Sequence, residues 1–163
     1  MAVQRLVLDS ITDDDYELIA IHCSLPSYRL AFLLNKHLDL RLFRKKEDIH
    51  FKYDHVLASF PLYEYDDHFQ YNTYNLLSNK FQSKIEYPKQ ASIDLFATEE
   101  DRYIVKYIIP ELKKVDYFLK IQAETSSFSS KSLLSKMLLI PQILTAYQVA
   151  YAKLKSKNNL IFE

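Results

Sequence analysis

The chain has 163 residues with 21 basic and 21 acidic side chains, so its formal net charge is zero. Hydrophobic residues make up 48% of it, enough for a core without disulfides or metal ions, and we predict a single α+β domain over residues 1–163. There is no glycine, which excludes the P-loop, the dinucleotide-binding fingerprint and the nucleophile elbow. Since Cys23 is the only cysteine, an intrachain disulfide and a cysteine-based zinc site are also excluded.

The N-terminal segment predicts a cytoplasmic protein with no membrane partner. Residues 1–15 lack the apolar stretch of a signal peptide and become acidic at Asp13. Within them, residues 3–8 fit either a short strand or a helical turn. No part of the sequence approaches the roughly 18 consecutive apolar residues of a membrane-spanning helix.

The next segments predict a strand, a helix and a second strand. Tyr16–Cys23 is apolar on both faces, which is typical of a central strand covered on both sides. Residues 27–38 follow Pro26 and carry an apolar stripe at helical spacing. The stripe consists of Leu30, Leu33, Leu34, His37 and Leu38. Strand residues are then expected around 40–42 and 49–53, on either side of a charged turn.

An aromatic hairpin is predicted over residues 60–77. Asp66 and Asp67 mark the turn between the strands Phe60–Tyr65 and Phe69–Leu77. Because glycine is absent, aspartate or asparagine must fill the turn positions that have positive φ. The candidates for these positions are Asn72, Asn75, Asn79, Asp66 and Asp67.

Residues 80–110 give weaker patterns. Ile85–Tyr87 and Ile93–Phe96 fit short strands. Residues 98–101 have the composition of a helix start, with acidic side chains in the first turn. We therefore predict a helix that continues through Tyr103–Ile108 and ends before Pro110.

The remaining sequence repeats the order strand, helix, strand. Val115–Gln122 predicts a strand, and a serine-rich linker over 126–130 leads into a helix at about 130–140. The apolar stripe of that helix is Leu133, Leu134, Met137 and Leu138. Ile143–Val149 is a further strand, and the lysine-rich tail at 153–163 ends in apolar residues that we expect to dock on the body or on a second subunit.

Two strand–helix–strand units with a β meander between them predict an α+β fold. We expect a mostly antiparallel sheet with helices on one side, and ferredoxin-like topology fits this order best.

One segment resembles a family signature. Ile109-Pro110-Glu111-Leu112-Lys113-Lys114-Val115-Asp116-Tyr117 reads I-P-E-x-x-x-V-D-Y. It is similar to the signature of the IPExxxVDY family, a bacterial family of no established activity found mainly in Bacteroidota. The likeness extends over about residues 15–162 and implies a bacterial cytosolic protein. It carries over no catalytic residues, and the matched positions are Ile109, Pro110, Glu111, Val115, Asp116 and Tyr117.

The titratable residues predict neither a catalytic nor a metal site. The five histidines lack metal-ligand spacing, and His22 and His37 are expected in the core. Cys23 follows a strand and precedes a helix, a place for a nucleophile, but a packed thiol is the favoured interpretation. Glu111 is interpreted as capping or bridging nearby amides at a turn shaped by Pro110, and Asp116 as orienting the start of the next strand. Partner binding by this turn is the alternative. We therefore predict no catalytic residue, no cofactor, no metal and no enzymatic activity.

The aromatic hairpin and the tail supply the candidate interaction surface. Exposed aromatic side chains on adjoining strands can stack bases or form a protein interface. The interleaved acidic residues, such as Glu64 and Asp66, would repel phosphate and favour a protein partner. The candidate residues are Tyr63, Tyr65, Phe69, Tyr71, Lys153, Lys155 and Lys157.

The predicted function is therefore a non-enzymatic cytosolic protein–protein interaction module, with a protein partner or as a homodimer. The alternative is an RNA- or ribosome-associated factor that uses the aromatic hairpin and the lysines of the tail.

Overall fold

The computed structural model describes residues 16–85, 102–125 and 128–162. Within these ranges the helices are α1 (Ser27–Leu38) and α2 (Ser130–Leu138). The strands in chain order are β1 (Tyr16–His22), β2 (Phe43–Arg44), β3 (Ile49–Tyr53), β4 (Val56–Phe60), β5 (Leu62–Asp67), β6 (Asn72–Ser78), β7 (Lys80–Lys84), β8 (Tyr103–Tyr107), β9 (Tyr117–Ala123) and β10 (Thr145–Val149). Short 3₁₀ segments lie at Pro110–Leu112, Tyr151–Lys153 and Lys157–Leu160.

The main sheet has six strands in the order β10-β1-β9-β6-β5-β2, and every neighbouring pair is antiparallel. The predicted α+β class with a mostly antiparallel sheet is confirmed. The ferredoxin-like detail is not confirmed, because β1 and β9 are antiparallel neighbours at the centre of the sheet. The unit β9–α2–β10 is split by β1, and β1–α1–β2 spans most of the sheet.

The two faces of the sheet are covered by different layers. Both helices pack on one face, the helical face, where Ile19, Leu76 and Leu119 meet Leu34 and Met137. The opposite face is covered by the β3–β4 hairpin, by residues after β8 and by the C-terminal tail. We call it the hairpin face after β3–β4, which is distinct from the aromatic hairpin β5–β6 of the main sheet. β1 is buried on both faces, as its continuous apolar sequence predicts.

The predicted helix at Tyr103–Ile108 is wrong. Tyr103–Tyr107 is strand β8, which pairs with β7 from Lys80–Tyr107 to Lys84–Tyr103. Tyrosine, isoleucine and valine favour strands, and the pairing with a distant segment overrides the helix-start composition of 98–101. The expectations for 3–8, 85–87, 93–96, 98–101 and the linker at 126–127 lie wholly or partly outside the described residues.

The predicted left-handed positions are also wrong. Among the described residues, positive φ occurs at Asp39, Asp54 and Tyr71. The asparagines proposed for this role lie in or directly after β6, where the backbone follows the sheet. Asp39 ends α1, Asp54 joins β3 to β4, and Tyr71 closes the hairpin between β5 and β6.

Candidate functional site

The segment Ile109–Tyr117 is turned inward. Ile109 and Val115 are buried in the apolar cluster of the hairpin face, and Pro110 occupies the first turn of a 3₁₀ segment. Tyr117 begins β9 and packs on the helical face instead. The segment therefore contributes side chains to both sides of the sheet.

Asn79 is the polar centre of this segment, and sequence reasoning missed it. Its side chain is fully buried between β6 and β7. Its Nδ2 donates to the carbonyls of Leu112 and Val115 at 2.9 and 3.0 Å, and its Oδ1 accepts the N–H of Ile109 at 2.9 Å. One amide thus binds three backbone groups: it is the partner of the Ile109 N–H and of the Val115 carbonyl, and it gives a second hydrogen bond to the Leu112 carbonyl, which also accepts the N–H of Val115.

Asp116 and Tyr117 hold the turn between β1 and α1. The Asp116 carboxylate accepts the backbone N–H of Cys23 at 2.9 Å, and the Tyr117 hydroxyl donates to the carbonyl of Leu25. Burial raises the pKa of Tyr117 to about 12, because the ionised phenol would be poorly solvated there.

Cys23 is a packed thiol. Its residue is almost fully buried in the core of the helical face. Burial raises the pKa of the thiol, a backbone hydrogen bond from Leu25 opposes this, and the charge of Asp116 raises the pKa further. A raised pKa keeps the thiol protonated and is the opposite of what a nucleophilic cysteine needs.

Glu111 fastens the C-terminal tail. Its Oε1 accepts the backbone N–H of Ser156 at 2.8 Å, and Asn159 donates to the carbonyl of Ile108 nearby. Desolvation raises the pKa of Glu111, but the hydrogen bonds from backbone N–H groups outweigh it, so the pKa lies below its ordinary value.

The end of the tail is held by a buried lysine. Lys120 of β9 donates from Nζ to the carbonyl of Leu160 at 2.8 Å. The same ammonium lies 4.7 Å from the ring centroid of Tyr16 and 4.8 Å from that of Phe162, within the range of cation–π attraction. In the structure this end of the tail packs on the body of the same chain through Leu160, which is buried, whereas Ile161 is exposed.

The four aromatic candidates of the hairpin separate into two pairs. Tyr63 is buried in the core, and Tyr65 is half-buried, with its ring stacked on Tyr74 at a centroid distance of 5.8 Å. Phe69 and Tyr71 are 94% and 60% exposed at the hairpin tip. The tip therefore offers two free aromatic side chains, while the others stabilise the fold.

A groove of about 820 Å³ lies beside the tip on the helical face. It runs between the end of α1 and the start of α2. Its wall combines Phe69 and Tyr71 with two cationic and two acidic side chains, those of Arg41, Lys136, Asp39 and Asp67. Asn72 is buried at this groove, and no donor among the described residues reaches its Oδ1.

The lysines of the tail lie apart from this groove. Lys153 and Lys155 are exposed on the segment that packs on the hairpin face, and Lys157 is half-buried there. The structure therefore does not bring the tail lysines and the hairpin tip together into one surface.

The histidines form no centre in the described residues. His37 is exposed, so its predicted place in the core is wrong; it lies in the last turn of α1, where a basic group complements the helix dipole. His22 is half-buried and contacts the Tyr147 hydroxyl at 3.3 Å. Across the parts of the chain that are described, no three His, Cys, Asp or Glu side chains gather as metal ligands would.

An apolar surface that the sequence did not reveal covers the outside of the helical layer. Tyr28 and Phe32 of α1 are each 65% exposed and line a cavity of about 450 Å³ with Leu25, Leu33 and Gln142. Leu139 and Leu144, on either side of Gln142 in the chain, are 80% and 77% exposed. We call these residues, together with the half-exposed Leu138, the helical surface: Tyr28, Phe32, Leu138, Leu139 and Leu144.

Comparison of the chain with protein-family models, with curated proteins and with solved structures finds no match. The resemblance of Ile109–Tyr117 to a family signature therefore stays a prediction. In the described part of the chain, no helix combines the length and the apolar character needed to cross a membrane.

Proposed function

We propose that the protein is a non-enzymatic protein–protein interaction module and that its binding site is the helical surface. The observation that carries this proposal is the exposure of five large apolar side chains on α1, at the end of α2 and in the segment between α2 and β10. Side chains of this size normally lie in the core, and a concentration of them outside marks an interaction site.

The composition of the surface favours a protein over a nucleic acid. Arg29 is the charged residue that lines its cavity, and the other lining residues are apolar or uncharged. Nucleic-acid binding depends on several cationic groups that neutralise phosphates, whereas aromatic and apolar residues in a shallow cavity are typical of a protein interface.

The structural roles of the polar residues support a function without catalysis. Asp116, Glu111 and Tyr117 each satisfy a backbone group, and burial raises the pKa of the Cys23 thiol. A catalytic group needs free access to a substrate and a pKa suited to proton transfer or attack.

The test compares two matched phenylalanines. The tagged protein and its variants Phe32→Asp and Phe69→Asp are expressed in the source cells, and the captured proteins are quantified by mass spectrometry with and without nuclease. Both positions are exposed, so both variants should fold, which their thermal unfolding checks. We expect Phe32→Asp to lower capture of a nuclease-resistant partner at least tenfold and Phe69→Asp to leave it unchanged. Equal capture by Phe32→Asp would contradict the proposal.

A specific observation supports the alternative of RNA binding. The groove beside the hairpin tip combines exposed Phe69 and Tyr71 with Arg41 and Lys136, and such aromatic and cationic groups can stack bases and neutralise phosphates. The carboxylates of Asp39 and Asp67 in the same wall oppose phosphate binding, which is why RNA binding stays the alternative. This alternative predicts capture that is lost with nuclease and reduced by Arg41→Glu, but not by Lys155→Glu on the other face.

A further inference from the structure

The edge strand β10 lies next to the helical surface and has no strand on its outer side among the described residues. It pairs with β1 from Leu18–Val149 to His22–Thr145, and it ends the main sheet. The outer backbone N–H and C=O groups of such a strand are available to another strand. Thr145, Tyr147 and Gln148 are exposed along it.

This edge carries none of the features that prevent strands from associating. Residues 137–152 contain no charged side chain, and the proline in this stretch, Pro141, lies before the strand. The opposite edge of the same sheet differs, because β2 is two residues long and is followed by Lys45 and Lys46. Proteins usually protect a free edge with charge, proline or a short strand, so an unprotected edge indicates that it is covered by a partner.

We infer that β10 pairs with β10 of a second copy of this chain, antiparallel about a two-fold axis near Tyr147, and joins two sheets into one. This inference rests on the proposed function and names a partner for part of the same surface. Tyr147 is the middle residue of the strand, so pairing about it uses the whole strand in both copies.

Charge and area both favour a second copy as the occupant. A two-fold interface brings the same patch of both copies together, so an edge with charges of one sign would repel its copy, whereas the uncharged stretch 137–152 does not. A stable interface buries at least about 1,200 Å² in total, more than one short strand supplies. Leu139 and Leu144, exposed directly before β10, provide the additional apolar area.

The test uses two glutamines, each exposed on a strand. Gln148 lies on β10, and Gln82 lies on β7 within the β7–β8 hairpin. The mass of the wild type, Gln148→Lys and Gln82→Lys is measured by analytical ultracentrifugation over a range of concentrations. We expect wild type and Gln82→Lys at twice the 19.3 kDa of the chain, and a dimer at least tenfold weaker for Gln148→Lys. With the axis at Tyr147, Gln148 pairs with Ala146 of the second copy, and the two new lysines would lie diagonally across the axis on the same face of the sheet, near enough to repel.

Hydrogen exchange identifies the paired strand independently of the substitution. We expect the amides of Thr145–Val149 to become more protected as the wild-type concentration rises, and to lose that protection in Gln148→Lys. A monomeric wild type, a dimer unaffected by Gln148→Lys, or protection of β10 that does not depend on concentration would overturn the inference. Protection of β10 that does not depend on concentration would mean that other residues of the same chain cover this edge.

The two proposals fail separately. A monomeric wild type that still loses its partner through Phe32→Asp contradicts the β10 dimer and leaves the interaction module intact. If the protein dimerises through β10 and captures no other protein, the second copy is its partner. That result contradicts only the proposal that the helical surface binds a different protein.

Discussion

The segment Ile109–Tyr117 and the helical surface differ in where their chemistry is directed. In the former, Asp116 and Tyr117 direct their polar groups to backbone partners inside the fold, and Asn79 binds the segment's own backbone from the turn between β6 and β7. In the latter, Leu139 and Leu144 project apolar side chains outward, with most of their surface exposed. The most distinctive motif of the sequence thus maintains the fold, whereas ordinary leucines form the surface proposed to bind.

The largest expected effect is at Asn79. Asn79→Ala removes the hydrogen-bond partner of the Ile109 N–H and of the Val115 carbonyl, both buried, whereas the Leu112 carbonyl keeps the N–H of Val115. We expect the free energy of unfolding to fall by about 3–4 kcal/mol. Urea unfolding measures this, with Asn158→Ala, at an exposed position, as the control that changes it little. A fall of less than about 1 kcal/mol would show that water replaces the Asn79 amide, and Asn79 would then not be the polar centre of the segment Ile109–Tyr117.

The next largest effect on stability is expected at Leu160, and it distinguishes the buried part of the tail from the exposed part. Leu160→Ala removes a fully buried side chain from the hairpin face, and we expect unfolding to become easier by about 2–3 kcal/mol. Ile161→Ala, at an exposed neighbour, should change stability by less than about 0.5 kcal/mol. Urea unfolding and the rate of proteolysis in the tail measure both variants, and equal effects would mean that the tail is not anchored through Leu160.

A smaller effect with a defined pH dependence is expected at Tyr117. Tyr117→Phe removes the hydrogen bond to the Leu25 carbonyl, which lowers stability by about 1 kcal/mol near neutral pH. The pKa of the buried phenol is raised to about 12 from 10.0, so the unfolded chain ionises first as the pH rises. The contribution of the buried, protonated Tyr117 to the free energy of unfolding is complete below pH 10 and is lost as the pH approaches 12.

Unfolding measured at several pH values tests this dependence. The difference in stability between wild type and Tyr117→Phe should narrow above pH 10. Burial also raises the pKa of Tyr53 and Tyr74, so the tyrosinate absorbance of the wild type should show a late-titrating group that is missing from Tyr117→Phe. A constant difference across this range would mean that Tyr117 is as solvated in the native state as in the unfolded chain.

The smallest expected effect on stability is at the helical surface. Leu139→Ser changes a side chain that is 80% exposed, so the free energy of unfolding should stay within about 0.5 kcal/mol. The same variant should bind less of a dye that is specific for exposed apolar surface. Destabilisation by more than about 1 kcal/mol would place Leu139 in the core and remove it from the proposed interface.

Elements with strong local periodicity could be predicted from the sequence. The strand at Tyr16, the helix at 27–38 and the strand that follows Val115 are all confirmed, because alternation or helical spacing of apolar residues is decided within each segment. Residues 103–107 show the limit of that approach. Their strand exists through pairing with Lys80–Lys84, and no local pattern identifies a partner that far along the chain.

The candidate surface was harder to predict for the same reason. Leu138 fits the apolar stripe of α2, but α2 ends there and the chain turns so that the side chain faces outward. Asn79 resembles any turn asparagine until the carbonyls of Leu112 and Val115 are placed beside it. The exposure of a side chain and its hydrogen-bond partners depend on how the layers of the fold pack together. The sequence pattern of a single segment does not contain that information.

The position of β1 between β9 and β10 has a consequence for synthesis of the chain. Its residues are made before those of both neighbouring strands, and β9 and β10 follow it by roughly 100 and 120 residues of chain. Until then, an apolar strand destined for the centre of the sheet has neither ladder partner, and such segments are prone to associate wrongly. The nascent chain should therefore depend on chaperones until β10 has emerged, and slower translation should prolong that dependence rather than relieve it.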